Sequence, residues 1–465
     1  MSTEESPLPS KRTSESRKPS FLARFFAEYG TLPALILLCA WFAWVTTAEQ
    51  RPAGSEGGHQ LATEIARGTS KGASVLIVTR ENREDTEFAK ALQGDLERAG
   101  FRVLETVQGQ PSDARQALVR IAQSGGRLEV IACNQVTATW AVFDQLGGIS
   151  PALSGAKVLQ PHSYRGSNFL KTDNLLNIAN QIAVIAIIAI GMTLVIITGG
   201  IDLSVGSLIA LSAVIATLII REYGGAEHAK PFAMILASFV AIGICGVVGL
   251  FSGLMVTLFR IPAFIVTLAM MLVGSGLAFI FSHGQSIYQI PEGFVWLGRG
   301  SAMGLPNSVI LMLVLYLLAH LLMTRTKMGR YIYAVGSNSE AVRLSGVSLR
   351  NVLLFVYLLN GLLAGLGGVV MASQLRSGSP TYGQMYELYV IAAVVVGGTS
   401  LAGGQGRVLG TLLGAFIIAV IQNGMNLTNT ESYTQKVVLG LVILGAVLLD
   451  TLKQRGAIWF RALRR

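Results

Sequence analysis

Long apolar stretches alternate along this chain with one extended stretch of mixed polarity. One apolar segment spans about residues 31–48, and nine more follow from residue 172 onward. A membrane-crossing helix needs about 20 apolar residues, so the pattern predicts an all-α polytopic membrane protein with about ten transmembrane helices. The nine later segments lie near 180–198, 205–220, 232–258, 263–282, 307–323, 352–374, 387–399, 408–423 and 435–450.

Residues 50–165 follow a different pattern. Short β-branched runs, such as 74–79, alternate there with stretches that are amphipathic at helical spacing, such as 84–99. This alternation of strands and helices indicates a parallel sheet. Because the stretch follows a single crossing, we expect an extracytoplasmic α/β domain inserted after the first transmembrane helix.

Composition and charge agree with this division. The chain is 52% hydrophobic and only 13% charged, whereas a soluble domain carries about 25% charged residues. The net charge of +10 is typical of a membrane protein whose Lys and Arg gather on the cytoplasmic side. Their concentration in alternate loops predicts that both termini are cytoplasmic. Residues 1–30 are expected to be a disordered tail, 166–452 the main membrane domain and 453–465 a basic tail.

Three sequence motifs of nucleotide, metal and redox chemistry are absent. The chain contains no Gly-x-x-x-x-Gly-Lys-Ser/Thr, no HExxH and no Cys-x-x-Cys. Its three cysteines, Cys39, Cys133 and Cys245, are far apart and fit no metal or disulfide pattern. We therefore expect no enzyme, no metal site, no cofactor and no nucleic-acid partner.

The apolar segment near 180–198 ends in a polar interruption. An acid costs about 2.5–3.5 kcal/mol at the centre of a bilayer, and broken helices with polar residues at the break line the substrate path of many transporters. One interpretation is that the interruption lines a translocation path; the other is that its acid caps a helix that begins at Leu203 while the glycines permit the turn. The interruption comprises Thr198, Gly199, Gly200, Asp202 and Ser204.

The longest basic loop, 324–351, contains a second pattern of interest. Ser337 followed by Glu340 matches a capping box, and Gly346 is a suitable helix stop. The spacing predicts a helix of about two turns over 337–346. It is either an ordinary loop helix or a helix that docks onto a cytoplasmic partner.

A glycine cluster lies between the segments 387–399 and 408–423. The spacing of Gly406 and Gly410 suits close helix packing in lipid, so packing is favoured over ligand contact. The cluster consists of Gly397, Gly398, Gly403, Gly404, Gly406 and Gly410.

Three blocks of this sequence resemble the permease subunits of bacterial ABC sugar importers of the ribose, xylose and arabinose class. They are GMTLVIITGGIDLSVGSLIALSAV, GRYIYAVGSNSEAVRLSGVSLRNVLLFVYLLNGLLAGLGGVV and VVVGGTSLAGGQGRVLGTLLGAFIIAVIQNGMNL. The likeness covers about 166–455. It implies a permease subunit that moves a ribose-like pentose or related sugar across the inner membrane of a bacterium. It also implies separate ATP-binding subunits, a second permease copy or paralogue, and an extracytoplasmic solute-binding protein.

The resemblance assigns a role to the predicted helix 337–346. In such permeases this position carries the coupling helix that contacts the ATPase. Glu340 and Arg343 are the residues expected to face that partner. The coupling residues implied are Ser337, Asn338, Glu340, Ala341, Arg343 and Gly346.

Two alternatives for function stay open at this point. The same fold could import branched-chain amino acids or nucleosides, because the pore residues do not indicate which substrate binds. An ion-coupled secondary transporter predicts several acids or histidines within the crossings. The sequence offers Asp202, Glu387 and Asp450, of which the last two lie at segment ends.

The insert departs from this family, whose members usually have a short connection after the first crossing. Residues 74–163 resemble one lobe of a sugar-type periplasmic binding protein, most closely at the strand turn Cys133-Asn134. A single lobe cannot enclose a sugar. The insert is therefore expected to occupy the docking surface of a binding protein, to scaffold one, to bind a ligand weakly, or to be an inert addition, since long surface insertions cost little.

Overall fold

The computed structural model describes residues 31–462, with the backbone alone at 449–450 and 453–462. The predicted tail 1–30 and residues 463–465 of the predicted basic tail lie outside the described residues. The chain forms two compact units. The inserted unit is Thr47–Asn168, and the membrane unit combines the residues before it with those from Phe169 onward.

The inserted unit follows helix α1 (Thr31–Val45), which belongs to the membrane unit. It alternates strands and helices along most of its length. Its elements are β1 (Thr47–Gln50), α2 (Gly54–Gly68), β2 (Ser74–Thr79), α3 (Arg83–Arg98), β3 (Arg102–Gln108), α4 (Pro111–Gln123), β4 (Val130–Cys133), α5 (Leu146–Ile149), β5 (Lys157–Leu159) and β6 (Tyr164–Ser167).

Four of these strands form a parallel sheet in the order β3-β2-β4-β5. Successive side chains of a strand point to opposite faces. Accordingly, Val75 and Ile77 pack with α2 and α3, whereas Leu76 and Val78 pack with α4. The inserted unit therefore has two apolar layers, one on each face of its sheet.

Strands β1 and β6 pair as a separate antiparallel ribbon, in which Thr47 lies opposite Ser167. The ribbon brings the two ends of the inserted unit together. In the membrane unit the flanking residues also meet, because the Phe169 amide donates to Thr46 Oγ1 at 3.2 Å.

The membrane unit is almost entirely helical after Phe169. Its elements are α6 (Thr172–Ile197), α7 (Val205–Glu222), α8 (Pro231–Leu258), α9 (Ala263–Ser282), α10 (Glu292–Arg299), β7 (Ser301–Ala302), β8 (Leu305–Pro306), α11 (Asn307–Arg325), α12 (Lys327–Ser337), α13 (Ser339–Leu344), α14 (Leu349–Leu375), α15 (Tyr386–Val396), α16 (Val408–Leu427) and α17 (Ser432–Ala462).

Seven helices in the described part of the chain are long and apolar enough to cross a membrane: α6, α7, α8, α9, α11, α14 and α16. Three shorter apolar helices, α1, α15 and the first part of α17, coincide with the remaining predicted segments. The protein is thus a multi-pass membrane protein, and the full count of about ten crossings stays a prediction.

The membrane helices differ in how deeply they are buried within the unit. The apolar windows of α6 and α7 are 89% and 78% buried, whereas those of α8 and α9 are 28% and 22% buried. Helix α14 packs against α6, α7 and α8. Small residues permit this approach, since a Cβ added at Gly361 or Gly365 of α14 would collide with the backbone of α8. The inner helices α6, α7 and α14 position the polar break described next.

Candidate functional site

Helix α6 ends in a glycine turn. Thr198 is the last helical-like residue, and Gly199 adopts a left-handed φ of +81°. The Gly199 and Gly200 amides donate to the carbonyls of Ile196 (2.9 Å) and Val195 (3.0 Å). This is the Schellman arrangement that a glycine after a helix favours. The expectation that Gly199 permits the turn is therefore confirmed.

The predicted capping role of Asp202 is wrong. Helix α7 begins at Val205 and its N-cap is Ser204, not Asp202. Asp202 Oδ1 instead accepts hydrogen bonds from the Ser204 amide (2.8 Å) and the Ser204 hydroxyl (2.6 Å). The carboxylate thereby orders the loop before the helix, two residues ahead of the position expected for a cap.

The second oxygen of Asp202 binds α14. Oδ2 accepts from Asn360 Nδ2 at 2.8 Å, and Asp202 is 1% exposed. Asn360 approaches α6 closely because it packs against Gly191. We call Asp202, Ser204, Tyr357 and Asn360 the Asp202 cluster. A buried carboxylate held by three donors is satisfied without a cation.

Two atoms of the Asp202 cluster lack hydrogen-bond partners among the described residues. They are Tyr357 Oη and Asn360 Oδ1. The Tyr357 hydroxyl lies against Gly200, where an added Cβ would approach it to 2.7 Å. A buried polar group without a partner costs about 1–3 kcal/mol, so such groups call for a functional explanation. From the opposite side, Thr267 of α9 donates to the Ile201 carbonyl at 3.2 Å.

The predicted capping box at Ser337 is also wrong. Ser337 is the last residue of α12, and its hydroxyl donates to the Tyr333 carbonyl. The cap of α13 is Asn338, whose Oδ1 accepts from the Ala341 amide at 2.9 Å. Glu340 binds Arg343 instead of the backbone. Because α12 continues through Ser337, the first non-helical residue is Asn338, which is at least as good a cap.

Helix α13 spans 339–344 and is shorter than the predicted 337–346. It ends as expected, since Gly346 has a left-handed φ of +79°. Val342 is buried, whereas Glu340 and Arg343 are exposed and form an ion pair of 2.5 Å. That this pair faces an ATPase stays a prediction.

The C-terminal end of α12 contacts the break directly. A Cβ added at Gly336 would overlap the Ile197 carbonyl and crowd the Gly404 amide, and that amide donates to the same carbonyl at 2.8 Å. Gly403 packs against Gly336 and Gly199. We call Ile197, Gly336, Gly403 and Gly404 the Gly336 contact.

A side chain reinforces the same junction, because the Tyr333 hydroxyl donates to the Gly406 carbonyl at 2.8 Å. Three segments therefore meet here, namely the end of α6, the end of α12 and the loop before α16.

The predicted packing role of the pair Gly406 and Gly410 needs correction. Gly406 precedes α16 and is not helical, so the small residues that face the neighbouring helix are Gly410 and Gly414. An added Cβ at either would collide with the end of α15, at the carbonyls of Gly397 and Ala393. Helix packing is therefore found at Gly397 and Gly410.

The remaining members of the cluster shape turns. Gly398, Gly403 and Gly404 have left-handed φ values of +89°, +84° and +71°.

A cavity of about 310 Å³ lies one turn beyond the break. It is bounded by the start of α7, the middle of α9 and the segment 380–387 that leads into α15. Sequence reasoning noted Glu387 only as an acid at a segment end and missed the rest. The polar residues of the lining are Ser207, Ser275, Tyr382, Gln384 and Glu387.

In the inserted unit, the turn at Cys133-Asn134 is closed on itself. Asn134 Oδ1 accepts from the amides of Val136 (3.0 Å) and Thr137 (2.8 Å), and the Thr137 hydroxyl donates to the Val78 carbonyl. Burial raises the pKa of the Cys133 thiol to about 12, so the group stays protonated at neutral pH. Asn134 thus stabilises the backbone of the turn after β4, and Thr137 connects this turn to strand β2.

Comparison with known proteins decides the family. Residues 174–447 match the family described as branched-chain amino acid transport system / permease component. The chain belongs to this family. The matched range contains the Asp202 cluster, the Gly336 contact and the cavity, and it begins after the inserted unit.

Curated relatives agree with the family. The permease is 44% identical to the ribose import permease protein RbsC of Escherichia coli (strain K12), over 62% of this chain and 88% of that protein. It is 35% identical to the D-allose transport system permease protein AlsC of the same strain, over 61% and 85%. The L-arabinose ABC transporter permease protein AraH of Azospirillum brasilense is 36% identical, over 61% and 81%. No solved structure matches the chain significantly.

Proposed function

We propose that this permease is the membrane-spanning subunit of an ATP-binding-cassette importer that carries a monosaccharide, a ribose-like pentose or related sugar, across the inner membrane of a bacterium. The observation that carries the proposal is the 44% identity to a ribose import permease along 88% of that protein. The broken helix with a buried acid supports a transport role, since breaks of this kind occur at transporter substrate sites. ATP hydrolysis is assigned to separate subunits.

The Gly336 contact supports a route from the ATPase to the membrane path. Helices α12 and α13 adjoin each other, and the end of α12 touches the Ile197 carbonyl at the end of α6. Closely packed interfaces transmit small shifts instead of absorbing them. ATP-driven movement of α13 would therefore displace the end of α6 and the Asp202 cluster, and thereby alternate the access of the path.

The partners follow from the same proposal. We expect two permease subunits, which are either two copies of this chain or this chain and a paralogue. Two ATP-binding subunits would bind α13, and a solute-binding protein would deliver the sugar from outside. In this arrangement both termini are cytoplasmic and the inserted unit is extracytoplasmic.

A branched-chain amino acid is the second candidate cargo, because the matching family carries that description. The chemistry of the cavity favours the sugar. Within the described residues its lining contains one acid and no Lys or Arg, so the carboxylate of an amino acid would find no cationic side chain. Ion coupling has less support, since Asp202 is the one acid classed as buried in the described part of the membrane unit.

Co-purification from native membranes combined with uptake tests the proposal. A tagged copy of the permease, isolated in mild detergent, should carry with it a chain with a P-loop. Vesicles that contain this complex should accumulate ¹⁴C-labelled D-ribose, D-allose or L-arabinose only when ATP is present on the cytoplasmic side. Isolation without an ATPase, together with uptake that follows an ion gradient, would contradict it. Accumulation of L-leucine instead of the sugars would contradict the proposal that the cargo is a monosaccharide.

A further inference from the structure

The cavity beside α7 has the form of a ligand site. Its volume of about 310 Å³ lies at the lower end of the range for small-molecule sites, which is about 300–1,000 Å³. The lining combines apolar side chains, among them Met271, Leu272 and Met385, with a small number of polar groups. Such a combination is typical of pockets that orient a small polar ligand.

The one acid that the described residues contribute to the lining, Glu387, reaches the cavity wall because two neighbouring residues are glycines. An added Cβ at Gly206 would overlap Glu387 Oε2, so the carboxyl lies directly across the first turn of α7. Gly383, at a left-handed φ of +73°, packs in turn against the Gly206 carbonyl. Glycine at both positions allows the backbone of α7 and the segment before α15 to bring Glu387 into the cavity wall.

The Glu387 carboxyl is half-buried, and none of the ion pairs formed within the described residues includes it. An acid in a membrane-embedded setting is expensive, and such residues mark substrate paths. The cost falls when a ligand supplies hydrogen-bond donors to the carboxyl oxygens.

The other polar groups of the lining match a polyol. The Ser207 hydroxyl donates to the Ser204 carbonyl at 2.8 Å and keeps its acceptor lone pairs for a ligand. Ser275 of α9 offers a further donor and acceptor, and Tyr382 adds an aromatic face. Ser207 also connects the cavity to the Asp202 cluster, because it binds the carbonyl of a residue whose hydroxyl binds Asp202.

We infer that this cavity holds the sugar during its passage, with Glu387 accepting hydrogen bonds from the sugar hydroxyls and with Ser207 and Ser275 binding its remaining hydroxyls. The inference rests on the proposed function and deepens it by assigning the cargo site. A neutral polyol fits the lining, which supplies hydrogen-bonding groups and one acid but no base in the described residues.

The first test is uptake by the full complex with ¹⁴C-labelled D-ribose, D-allose and L-arabinose as probes. Glu387→Gln keeps the size of the side chain and weakens its acceptor strength. We expect the ratio of maximal rate to KM for the transported sugar to fall at least tenfold, with unchanged amounts of permease and ATPase in the membrane. Glu222→Gln, at the exposed end of α7, is the matched control. A Glu387→Gln rate within twofold of the wild type would overturn the inference.

The second test reads binding without relying on transport. Ser275→Cys, introduced with Cys39→Ser to remove the half-buried native thiol, is labelled with a water-soluble maleimide in membrane vesicles. We expect the transported sugar to slow this labelling at least fivefold, and to leave labelling of an exposed control, Ser301→Cys, unchanged. Labelling of Ser275→Cys that the sugar does not change, or no labelling at all, would overturn the cavity assignment.

The two failures are distinguishable. If the wild-type complex transports none of the three sugars, the proposed function fails. If it transports one of them while Glu387→Gln and the labelling of Ser275→Cys show no effect, the cargo site fails alone.

Discussion

The break after α6 is held in two different ways. The Asp202 cluster holds it through side chains, with a carboxylate that accepts from a hydroxyl, an amide group and the backbone. The Gly336 contact holds it through backbone alone, with no room for a Cβ. Substitutions in the Asp202 cluster that remove a hydrogen-bonding group should therefore impair transport even when the side chain keeps its size. At the Gly336 contact, any substitution that adds a side chain should impair transport, whatever the polarity of that side chain.

The largest effect is expected at Gly336. Gly336→Ala places a Cβ against the Ile197 carbonyl, so the end of α12 must move away from α6. We expect sugar uptake to fall more than 100-fold, measured in vesicles that contain equal amounts of permease. Gly243→Ala on α8, where an added Cβ meets nothing within 4 Å, is the control and should transport like the wild type. Equal uptake by both variants would show that transport does not depend on the Gly336 contact.

The next effect is expected at Asp202. Asp202→Ala leaves three buried donors without their acceptor, at about 1–3 kcal/mol for each unsatisfied group. We expect uptake to be abolished while the protein remains in the membrane. Asp202→Asn should be closer to the wild type in thermal stability, because the Asn360 amide can rotate its unpartnered Oδ1 toward the new donor. Normal uptake by Asp202→Ala would contradict the pathway role.

A smaller effect is expected at Asn360, which also belongs to the Asp202 cluster. Asn360→Ala removes the donor to Asp202 Oδ2, and we expect about 1–3 kcal/mol of lost stability and partial loss of uptake. Combined with Asp202→Ala, the losses should not add, since residues in one hydrogen-bond network are energetically coupled. Thermal unfolding of the two single variants and the double variant measures this coupling. Simple additivity would show that the two side chains act independently.

Removal of the inserted unit, Thr47–Asn168, deletes no residue of the Asp202 cluster or of the Gly336 contact. Thr46 and Phe169 are hydrogen-bonded neighbours, so a short Gly-Ser linker can replace Thr47–Asn168. We expect the shortened permease to retain its ATPase partner and to lose less than tenfold in uptake at saturating solute-binding protein. Complete loss of uptake, with normal membrane levels, would give the inserted unit an essential role in transport.

The smallest effect on stability is expected at the exposed pair of α13. An exposed ion pair contributes about 0.2–1 kcal/mol, so Glu340→Ala should leave the thermal unfolding temperature almost unchanged. Arg343→Glu should nevertheless reduce co-purification of the ATPase if this face of α13 docks onto it. Unchanged co-purification of the Arg343→Glu variant would place the docking surface elsewhere.

Local patterns predict the helices of this protein well and its contacts poorly. Helix α9 spans 263–282, as predicted, because a single continuous run of apolar residues with polar residues at its ends determines its length. The pairing of Asp202 with Asn360 joins residues 158 positions apart, and the Gly336 contact joins three separate segments. No local periodicity encodes such pairings.

Errors at helix ends have the same origin. Ser337 and Asn338 are both acceptable caps by residue type, and the continuation of α12 decides between them. The cavity escaped prediction for a related reason. Ser207, Ser275 and Glu387 come from three elements that only the packed structure brings together.

Reconstitution is the decisive experiment for the proposal that the break between the Asp202 cluster and the Gly336 contact moves during ATP-driven sugar import. Proteoliposomes would contain the permease with its ATPase, hold ATP inside and receive solute-binding protein and ¹⁴C-labelled D-ribose outside. We predict ribose accumulation that requires internal ATP, that persists in Gly243→Ala and that is lost in Gly336→Ala and Asp202→Ala. Accumulation in both of those last variants at the wild-type rate, or accumulation without ATP, would contradict it.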